Sequence, residues 1–269
     1  MLYAMRLVAW NVEKLASRIG ELPAIVAELG APDVLCLQEL RIRAQDAADV
    51  TALERALPGY TCHHSLPRDP HNVTFRGGRA YGVATFVRGE ATGAVPDWDR
   101  EGRVVIARVG ELTVINLYAV NGTPKSYFDA DGRPDGDRHA FKRRLQSQLF
   151  ALATELAPNV ILAGDWNVTR TALDTHPRLR TEGPHALARA ELNAHLEATG
   201  FVDIWRHLYP DDRGYTWFNP RARTLDAARV DYIVVSPDLI SRVHAAEILP
   251  RHRWSDHAPL SVEIKNSTE

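Results

Sequence analysis

The chain has 269 residues, of which 45% are hydrophobic and 25% charged, so intrinsic disorder, collagen-like sequence and a coiled coil are excluded as the main architecture. The formal net charge is -2, from 32 Lys and Arg against 34 Asp and Glu, and any binding site for a polyanion must therefore be local. The 2 cysteines are too few for a disulfide scaffold.

The cellular compartment is predicted from apolar patterning and cysteine use. No apolar stretch approaches the length of a membrane span, and residues 1–14 have neither the apolar core nor the cleavage site of a signal peptide. Cys36 lies in an apolar run, where a buried free thiol is expected. We therefore expect a cytoplasmic protein without a membrane partner, organised as a single domain over residues 1–269 and present as a monomer.

Short β-forming runs alternate with helical patterns along the chain, without a low-complexity linker or an internal repeat. The predicted strands, in chain order, are Arg6–Trp10, Val34–Gln38, Tyr60–His64, Tyr81–Val87, Val104–Val109, Leu112–Tyr118, Val160–Ala163, Tyr215–Phe218, Val230–Ser236, His244–Leu249 and Pro259–Ile264. The two strands joined through Gly110-Glu111 are predicted to form a hairpin.

The clearest helical pattern covers residues 138–156, where Phe141, Leu145 and Leu149 belong to one apolar stripe. The other face of this helix is predicted to carry Lys142, Arg143 and Gln146. Further predicted helices cover Arg18–Leu29, Ala47–Leu57 and Ala186–Ala198, the last closed by Gly200. Strands in hairpins with helices between them predict an α/β fold in which two mixed sheets pack face to face with helices outside.

Polar residues end several of the hydrophobic strands, at the rim of a sheet where ligand sites of α/β proteins commonly lie. These segments are Asn11-Val12-Glu13, Gln38-Glu39, Tyr118–Gly122, Asp165-Trp166-Asn167 and Ser255-Asp256-His257, with Asp231 at a strand entry. Taken singly, a strand-terminal Asp is more often a cap or turn former than a ligand. Four carboxylates together would repel one another or have raised pKa values unless they share a metal ion.

Carboxylate and amide oxygens suit a hard cation such as Mg²⁺ or Mn²⁺. The 11 His residues leave a zinc site open as an alternative, although neither H-E-x-x-H nor His-x-His spacing occurs. Asp129-Ala130-Asp131-Gly132 resembles the start of a calcium loop, but Arg133 stands where another oxygen ligand should be. The predicted cofactor is therefore Mg²⁺ or Mn²⁺.

Three segments, in this order, resemble the exonuclease III / AP endonuclease branch of the endonuclease/exonuclease/phosphatase superfamily: Pro32–Glu39, Gly164–Val168 and Ser255–Pro259. The similarity covers nearly the whole chain and its motifs are highly specific together. Tyr118 points to the DNA-repair branch, because secreted deoxyribonucleases and sphingomyelinases usually carry His at that position. The resemblance implies a four-layered α/β sandwich, with mainly antiparallel sheets and the active site at one end of them.

The resemblance also implies roles for individual residues. Metal ligands would be Glu39, Asn11 and Asp256. Catalytic residues would be Tyr118, Asp165, Asn167, Asp231 and His257. Substrate-binding residues would be Asn121, Trp217, Phe218, Arg41 and Tyr81. In this scheme the metal stabilises charge on the phosphate and the leaving oxygen, Asp165 orients or deprotonates the attacking water, and a protonated His257 offsets charge in the transition state.

The expected activity is a metal-dependent cleavage of DNA 5′ to abasic sites, or trimming of 3′ ends, on duplexes with abasic sites, nicks or 3′ ends. Ala228 departs from the pattern, because some members hold a bulky residue there beside the abasic-sugar pocket. This departure keeps open a phosphodiesterase or phosphatase acting on RNA, nucleotides or small phosphoesters. A non-catalytic DNA-binding module of the same fold would not need buried carboxylates near a phosphate.

Local positive charge is available in three segments: Arg138–Arg144, Arg178–Arg180 and Arg221–Arg223. Each segment is either a solvated surface or a contact to phosphate. The aromatic pair Trp217 and Phe218 fits either an inserted wedge or the core. The glycine-rich run Gly77–Gly82 fits either a loop against the DNA backbone or a hairpin turn.

Overall fold

The computed structural model describes residues 4–72 and 81–265. Its strands are β1 (Ala4–Asn11), β2 (Val34–Gln38), β3 (Tyr60–Ser65), β4 (Val83–Arg88), β5 (Thr92–Ala94), β6 (Val104–Val109), β7 (Leu112–Tyr118), β8 (Ser126–Phe128), β9 (Pro134–Asp137), β10 (Val160–Asp165), β11 (Thr175–His176), β12 (Val202–Asp203), β13 (Trp217–Phe218), β14 (Ala227–Ala228), β15 (Asp231–Val235), β16 (Val243–Ile248) and β17 (Leu260–Lys265). Its α-helices are α1 (Leu22–Glu28), α2 (Ala47–Glu54), α3 (Arg138–Leu156), α4 (Gly183–Thr199) and α5 (Ile204–Leu208), with 3₁₀ helices at Ala16–Glu21, Ala172–Asp174 and Pro237–Arg242.

Two six-stranded mixed sheets form the centre of the fold. Their strand orders are β16-β17-β1-β2-β4-β3 and β12-β15-β10-β7-β6-β5. Each sheet contains one parallel pair, β1 with β2 and β10 with β7, and its other pairs are antiparallel. This confirms the predicted α/β architecture of mainly antiparallel sheets.

Alternation of side chains along the strands explains the layers. In β1, Leu7 belongs to the apolar cluster between the two sheets, whereas Val8 belongs to the cluster shared with α1. In β7, Val114 faces the other sheet and Ile115 joins the cluster shared with α3 and α4. Both faces of each sheet are therefore buried, and the order of layers is helix, sheet, sheet, helix.

Local signals account for the helix boundaries. The Asp137 side chain accepts a hydrogen bond from the Ala140 N–H and caps α3, which covers the predicted residues 138–156. Gly200 has a φ of 71° and closes α4, as predicted. Pro23 lies in the first turn of α1, where its missing N–H has no intrahelical partner to lose.

Each predicted strand has a counterpart, with shifts of boundary. The predicted strand Tyr215–Phe218 shortens to the two residues of β13, because this segment pairs in a small sheet with β14 and β11. The short strands β5, β11, β12 and β14 and the hairpin β8–β9 were not predicted, because two to four residues are too few for a periodicity signal. The glycine-rich run Gly77–Gly82 lies mostly outside the described residues.

Two remaining sequence predictions concern compartment and cations. No helix within residues 4–72 and 81–265 is long and apolar enough to cross a membrane. The segment that resembled a calcium loop is the turn between β8 and β9, where Asp129 Oδ1 accepts hydrogen bonds from the Asp131 and Arg133 N–H groups. Arg133 also forms an ion pair with Asp131. These contacts are typical of a hairpin turn.

Candidate active site

The strand register brings the predicted catalytic residues to one end of the paired sheets. Asp165, the last residue of β10, pairs with Tyr118 on β7 and with Asp231 on β15. In the other sheet Asn11 pairs with Gln38, which places Glu39 at the same edge. Residues from five distant segments of the chain therefore face one another.

A buried amide contact fixes the two sheets relative to each other below this edge. Gln38 Nε2 donates to Asn116 Oδ1 over 2.8 Å, and Asn116 Nδ2 donates to the Ala84 carbonyl oxygen over 2.9 Å. Both amide side chains are fully buried. A hydrogen bond between buried groups demands a defined geometry, so the contact sets the distance between the two halves of the site.

Asp165 lies at the centre of the site. Its Oδ2 accepts a hydrogen bond from Asn11 Nδ2 over 3.0 Å, and its Oδ1 accepts one from the Asn167 backbone N–H over 2.8 Å. Asn167 has a φ of 52°, a left-handed conformation that Asn tolerates, and this turns its N–H back toward the carboxylate. Burial and the neighbouring Asp231 carboxylate raise the pKa of Asp165 to about 7.

His257 is held by Asp231. The Nδ1 atom of His257 is 2.8 Å from Asp231 Oδ2, and its Nε2 atom is 4.0 Å from Asp165 Oδ2 and 3.9 Å from Asp256 Oδ1. Burial lowers the pKa of His257, but the surrounding carboxylates, Asp231 first, outweigh this effect and raise it to about 10. The site thus contains an imidazolium directed at a carboxylate that is easily protonated.

Glu39 faces this pair from the other sheet. Its Oε1 accepts hydrogen bonds from the Tyr118 hydroxyl over 2.7 Å and from Asn11 Nδ2 over 3.2 Å. Its Oε2 lies 3.3 Å from Arg41 Nη2. Burial and the carboxylates of Glu39 and Asp165 hold the pKa of Tyr118 well above its usual value, so the phenol stays a donor.

These residues stand at the base of a cleft of about 1110 Å³. The lining includes the predicted residues Arg41, Glu39, Tyr81, Tyr118, Asn121, Asp165, Asn167, Trp217, Asp256 and His257. Trp217 Nε1 donates to Asp256 Oδ2 over 2.9 Å. Phe218, predicted to bind substrate, is half-buried beneath Arg251, whose guanidinium lies 5.5 Å from its ring, and among the described residues it is not part of the cleft lining.

Comparison with known proteins agrees with this geometry. Residues 8–257 match the model of the endonuclease/exonuclease/phosphatase family. The chain belongs to this family. It is 30% identical to an exodeoxyribonuclease of Bacillus subtilis, covering 97% of this chain and 99% of that relative. It is 29% identical to recombination repair protein 1 of Drosophila melanogaster, where the match covers 97% of this chain and 37% of the relative.

Solved structures agree with the family assignment. A 3′-5′ exonuclease from Neisseria meningitidis matches with a TM-score of 0.72 and 25% identity, covering 97% of this chain and 100% of that one. The relatives include exodeoxyribonucleases and AP endonucleases over nearly the whole chain, so the resemblance found in the sequence is confirmed. The four-layered sandwich that it implied is confirmed as well.

The family implies a metal ion, and the donor set of this site fits one. Asp165, Asp231 and His257 each offer a ligand atom, and these atoms lie within 4.8 Å of one another. Asp231 Oδ1 is buried and has no hydrogen-bond partner within the described part of the chain, as expected for an oxygen that faces a cation or a water molecule. Carboxylate oxygens that dominate such a set are the ligands of hard cations.

Lys142 lines the cleft, which the helical pattern of the sequence does not predict. The pattern put Lys142 and Gln146 on the face of α3 opposite the apolar stripe, and both are buried, because α3 also packs against α4 and the turn after β10. Lys142 Nζ donates to the Asn167 carbonyl oxygen over 2.5 Å, and burial lowers the pKa of Lys142 to about 8. Of the two interpretations of this basic segment, a solvated surface therefore does not apply to Lys142. No local sequence signal distinguishes this lysine from a solvated one.

Proposed function

We propose that this protein is a metal-dependent DNA phosphodiesterase of the exonuclease III type, which cleaves 5′ to abasic sites and trims 3′ ends. The observation that carries the proposal is the pairing of Asp165 with His257. A carboxylate with a pKa of about 7 stands 4.0 Å from an imidazole nitrogen whose pKa is about 10. Such a pair supplies a base for water and a cation for a phosphate oxygen.

The roles of the residues follow from their contacts. Asp165, oriented by Asn11 and Asn167, accepts the proton of the attacking water. His257, kept protonated by Asp231, donates to a non-bridging phosphate oxygen. The single O–H of Tyr118 donates to Glu39 Oε1 in this structure, and it would donate instead to the same phosphate when substrate is bound.

We assign the metal ion to Glu39, Asn11 and Asp256, whose oxygen ligands favour Mg²⁺ or Mn²⁺. Asp165, Asp231 and His257 also lie close enough to share an ion. A protonated His257 has no free lone pair for a metal, so these three residues act on protons and phosphate instead.

When bound, the ion supplies charge stabilisation at the phosphate and the leaving oxygen. Arg41 Nη2 lies 3.3 Å from Glu39 Oε2, and Glu39 would share its carboxylate between this arginine and a bound ion. Asp256 is held in place by Trp217 Nε1 over 2.9 Å.

Cations on one wall of the cleft support a polyanionic substrate. Arg178 and Arg180 are exposed there, and Lys142 and Arg189 line the same wall. A groove with clustered guanidiniums attracts a phosphate backbone. Together with the similarity to an exodeoxyribonuclease, this arrangement supports duplex DNA as the substrate.

Arginines outside the cleft have a different environment. Arg143 forms an ion pair with Glu191 over 2.9 Å, and Arg144 forms one with Asp135 over 2.9 Å. Neither arginine belongs to the cleft lining among the described residues. For this part of the basic segment we therefore adopt the interpretation of a solvated surface rather than of a phosphate contact.

The test is cleavage of a duplex that carries one synthetic abasic site, with Mg²⁺, with Mn²⁺ and with a chelator, beside the same duplex without the lesion. Metal-dependent incision at the lesion alone is expected of an AP endonuclease. Metal-dependent loss of terminal nucleotides from both duplexes is expected of a 3′ exonuclease. No cleavage of either duplex would overturn the proposal.

A second candidate function rests on Ala228. This residue lines the cleft with a methyl group only, beside Ala227 and Trp217. A wide pocket accepts RNA, nucleotides or small phosphoesters as readily as an abasic sugar. Rates on single-stranded RNA and on small phosphoesters, measured in the same buffers, separate this candidate from the DNA phosphodiesterase.

A further inference from the structure

Glu101 and Arg103 form a buried ion cluster with Arg138, a residue of the cleft lining. Glu101 and Arg103 are each 1% exposed. Arg103 Nε donates to Glu101 Oε2 over 2.5 Å, and Arg138 donates to both oxygens of the same carboxylate over 2.9 and 2.8 Å. Burying three charges costs desolvation free energy, and such a cluster is weak evidence for a purely stabilising role.

The guanidinium of Arg103 contacts both tyrosines of the cleft. Its Cζ atom lies 4.4 Å from the ring centroid of Tyr81 and 5.1 Å from that of Tyr118. Its Nη1 donates to the Tyr118 carbonyl oxygen over 3.0 Å, and the Tyr118 N–H donates to the Arg103 carbonyl oxygen over 2.8 Å. Arg103 therefore holds the backbone and the ring of Tyr118 at once.

The side chain of Tyr118 links Arg103 to the active site. Its hydroxyl donates to Glu39 Oε1 over 2.7 Å, and its ring lies 5.4 Å from that of Tyr81. A planar guanidinium can pack on an aromatic face while its edge donates hydrogen bonds, and a Lys ammonium cannot do both. The carboxylate of Glu101, fixed by Arg138, sets the plane of that guanidinium.

We propose that Arg103, oriented by Glu101 and Arg138, is a positioning residue that acts through Tyr118. It holds the ring so that the hydroxyl reaches Glu39 in the free protein and the phosphate when substrate is bound. This inference rests on the proposed function, in which Tyr118 donates to the substrate phosphate. It adds to the site three charged residues that do not touch the reacting atoms.

A double-mutant cycle tests this link. The variants are Arg103→Lys, Tyr118→Phe and the pair together, assayed on the abasic duplex with saturating metal ion. We expect Arg103→Lys to lower kcat by roughly 10- to 100-fold with KM unchanged, as for other residues that support a catalytic group. In the Tyr118→Phe background the same change is expected to have little further effect, because the hydroxyl that it directs is gone.

The control is Arg100→Lys, which alters an arginine of the same segment that pairs with Asp69 over 2.8 Å. We expect this variant to keep the wild-type kcat. Equal effects of Arg103→Lys in both backgrounds would overturn the inference, since they indicate a general loss of structure. A rise in KM would also overturn it, since it indicates direct contact of Arg103 with substrate. Should Arg103→Lys fail to fold, Glu101→Gln replaces it in the same cycle.

A second readout needs no substrate. The flip rate of the Tyr118 ring, followed by NMR in protein with labelled tyrosine, is expected to increase in Arg103→Lys and to stay unchanged in Arg100→Lys. An unchanged rate in Arg103→Lys would contradict the inference even if the enzyme were active. If the ring flips faster in Arg103→Lys but the wild-type protein does not cleave DNA, only the proposed function is contradicted.

Discussion

A single neighbouring carboxylate raises the pKa values of both Asp165 and His257, with different consequences for their functions. Both side chains are buried beside Asp231. Burial and repulsion from Asp231 raise the pKa of Asp165 to about 7, and attraction to the same carboxylate helps raise that of His257 to about 10. At the residue scale, Asp231 therefore helps to keep His257 protonated and makes Asp165 a stronger base than an exposed carboxylate.

Asp165→Asn tests the role of this carboxylate. The amide keeps the size of the side chain but cannot accept a proton, so kcat is expected to fall by about 10²- to 10⁴-fold. The melting temperature is expected to be unchanged or higher, because the amide removes charge repulsion with Asp231. Steady-state cleavage and circular dichroism melts measure both effects, and wild-type turnover in the variant would remove Asp165 from the mechanism.

At the element scale, β10 reaches the site only because its pairing with β7 is very close. Gly164, next to Asp165, has a φ of 143°, and a Cβ atom on it would lie 2.0 Å from the Leu117 carbonyl oxygen. Only glycine readily adopts this conformation. The close approach sets the register in which Asp165 stands opposite Tyr118.

Gly164→Ala is therefore expected to reduce the free energy of unfolding by on the order of 3 kcal/mol, from the clash and the backbone strain. Cleavage activity is expected to fall as well, because Asp165 moves with the strand. The control is Gly20→Ala, where an added Cβ meets no atom within 4 Å. Urea unfolding of both variants measures the difference, and equal stabilities would show that β10 can shift without cost.

At the scale of the whole molecule, the net charge of -2 hides a local basic wall. Removing a cation that neutralises a DNA phosphate lowers the salt dependence of binding, by about one unit of slope for each such cation. Arg178 and Arg180 line the cleft, whereas Arg143 and Arg144 are in ion pairs at the surface. The two pairs of arginines carry equal charge, but we expect only Arg178 and Arg180 to affect the salt dependence of DNA binding.

The double variant Arg178→Ala/Arg180→Ala is expected to bind an abasic duplex more weakly and with a slope of log K against log salt that is smaller by about 2. The matched double variant Arg143→Ala/Arg144→Ala is expected to keep the wild-type slope. Fluorescence anisotropy with chelator, at several salt concentrations, prevents cleavage during the measurement. Identical slopes for the two double variants would place the DNA elsewhere.

Buried ion pairs also make the stability of the molecule sensitive to acid. Burial raises the pKa of Asp203, but the guanidiniums of Arg229 and Arg170 outweigh burial and hold it below its usual value. A carboxyl with a lowered folded pKa stabilises the fold above its unfolded pKa of about 4, and this contribution disappears as the pH falls through the folded value.

We expect the free energy of unfolding, from urea titrations between about pH 7 and pH 3, to fall with pH below about 4. Asp203→Asn is expected to be less stable at neutral pH by about 3–5 kcal/mol, because Arg229 loses a buried partner, and to show a flatter dependence in acid. Asp97→Asn, at an exposed site, serves as the control. A wild-type slope in Asp203→Asn would exclude this carboxyl as a source of acid sensitivity.

Much of this protein was determined by local sequence. Hydrophobic alternation predicted the strands of both central sheets except their short edge members. The apolar stripe along residues 138–156 predicted the length of α3. The abrupt ends of β1, β2 and β10 marked Asn11, Glu39 and Asp165, because a polar residue after a buried strand must lie at its rim.

Only the tertiary structure decided which of these strand-end residues contact one another and which other side chains line the cleft. Phe218 resembled a second substrate contact, but its neighbour Trp217 takes the cleft position and Arg251 covers its ring. Lys142 and Arg103 carry no local signal that separates them from surface cations, and both are buried against cleft residues. Periodicity reports which face of an element is apolar, whereas the burial of a charge depends on partners that come from distant parts of the chain.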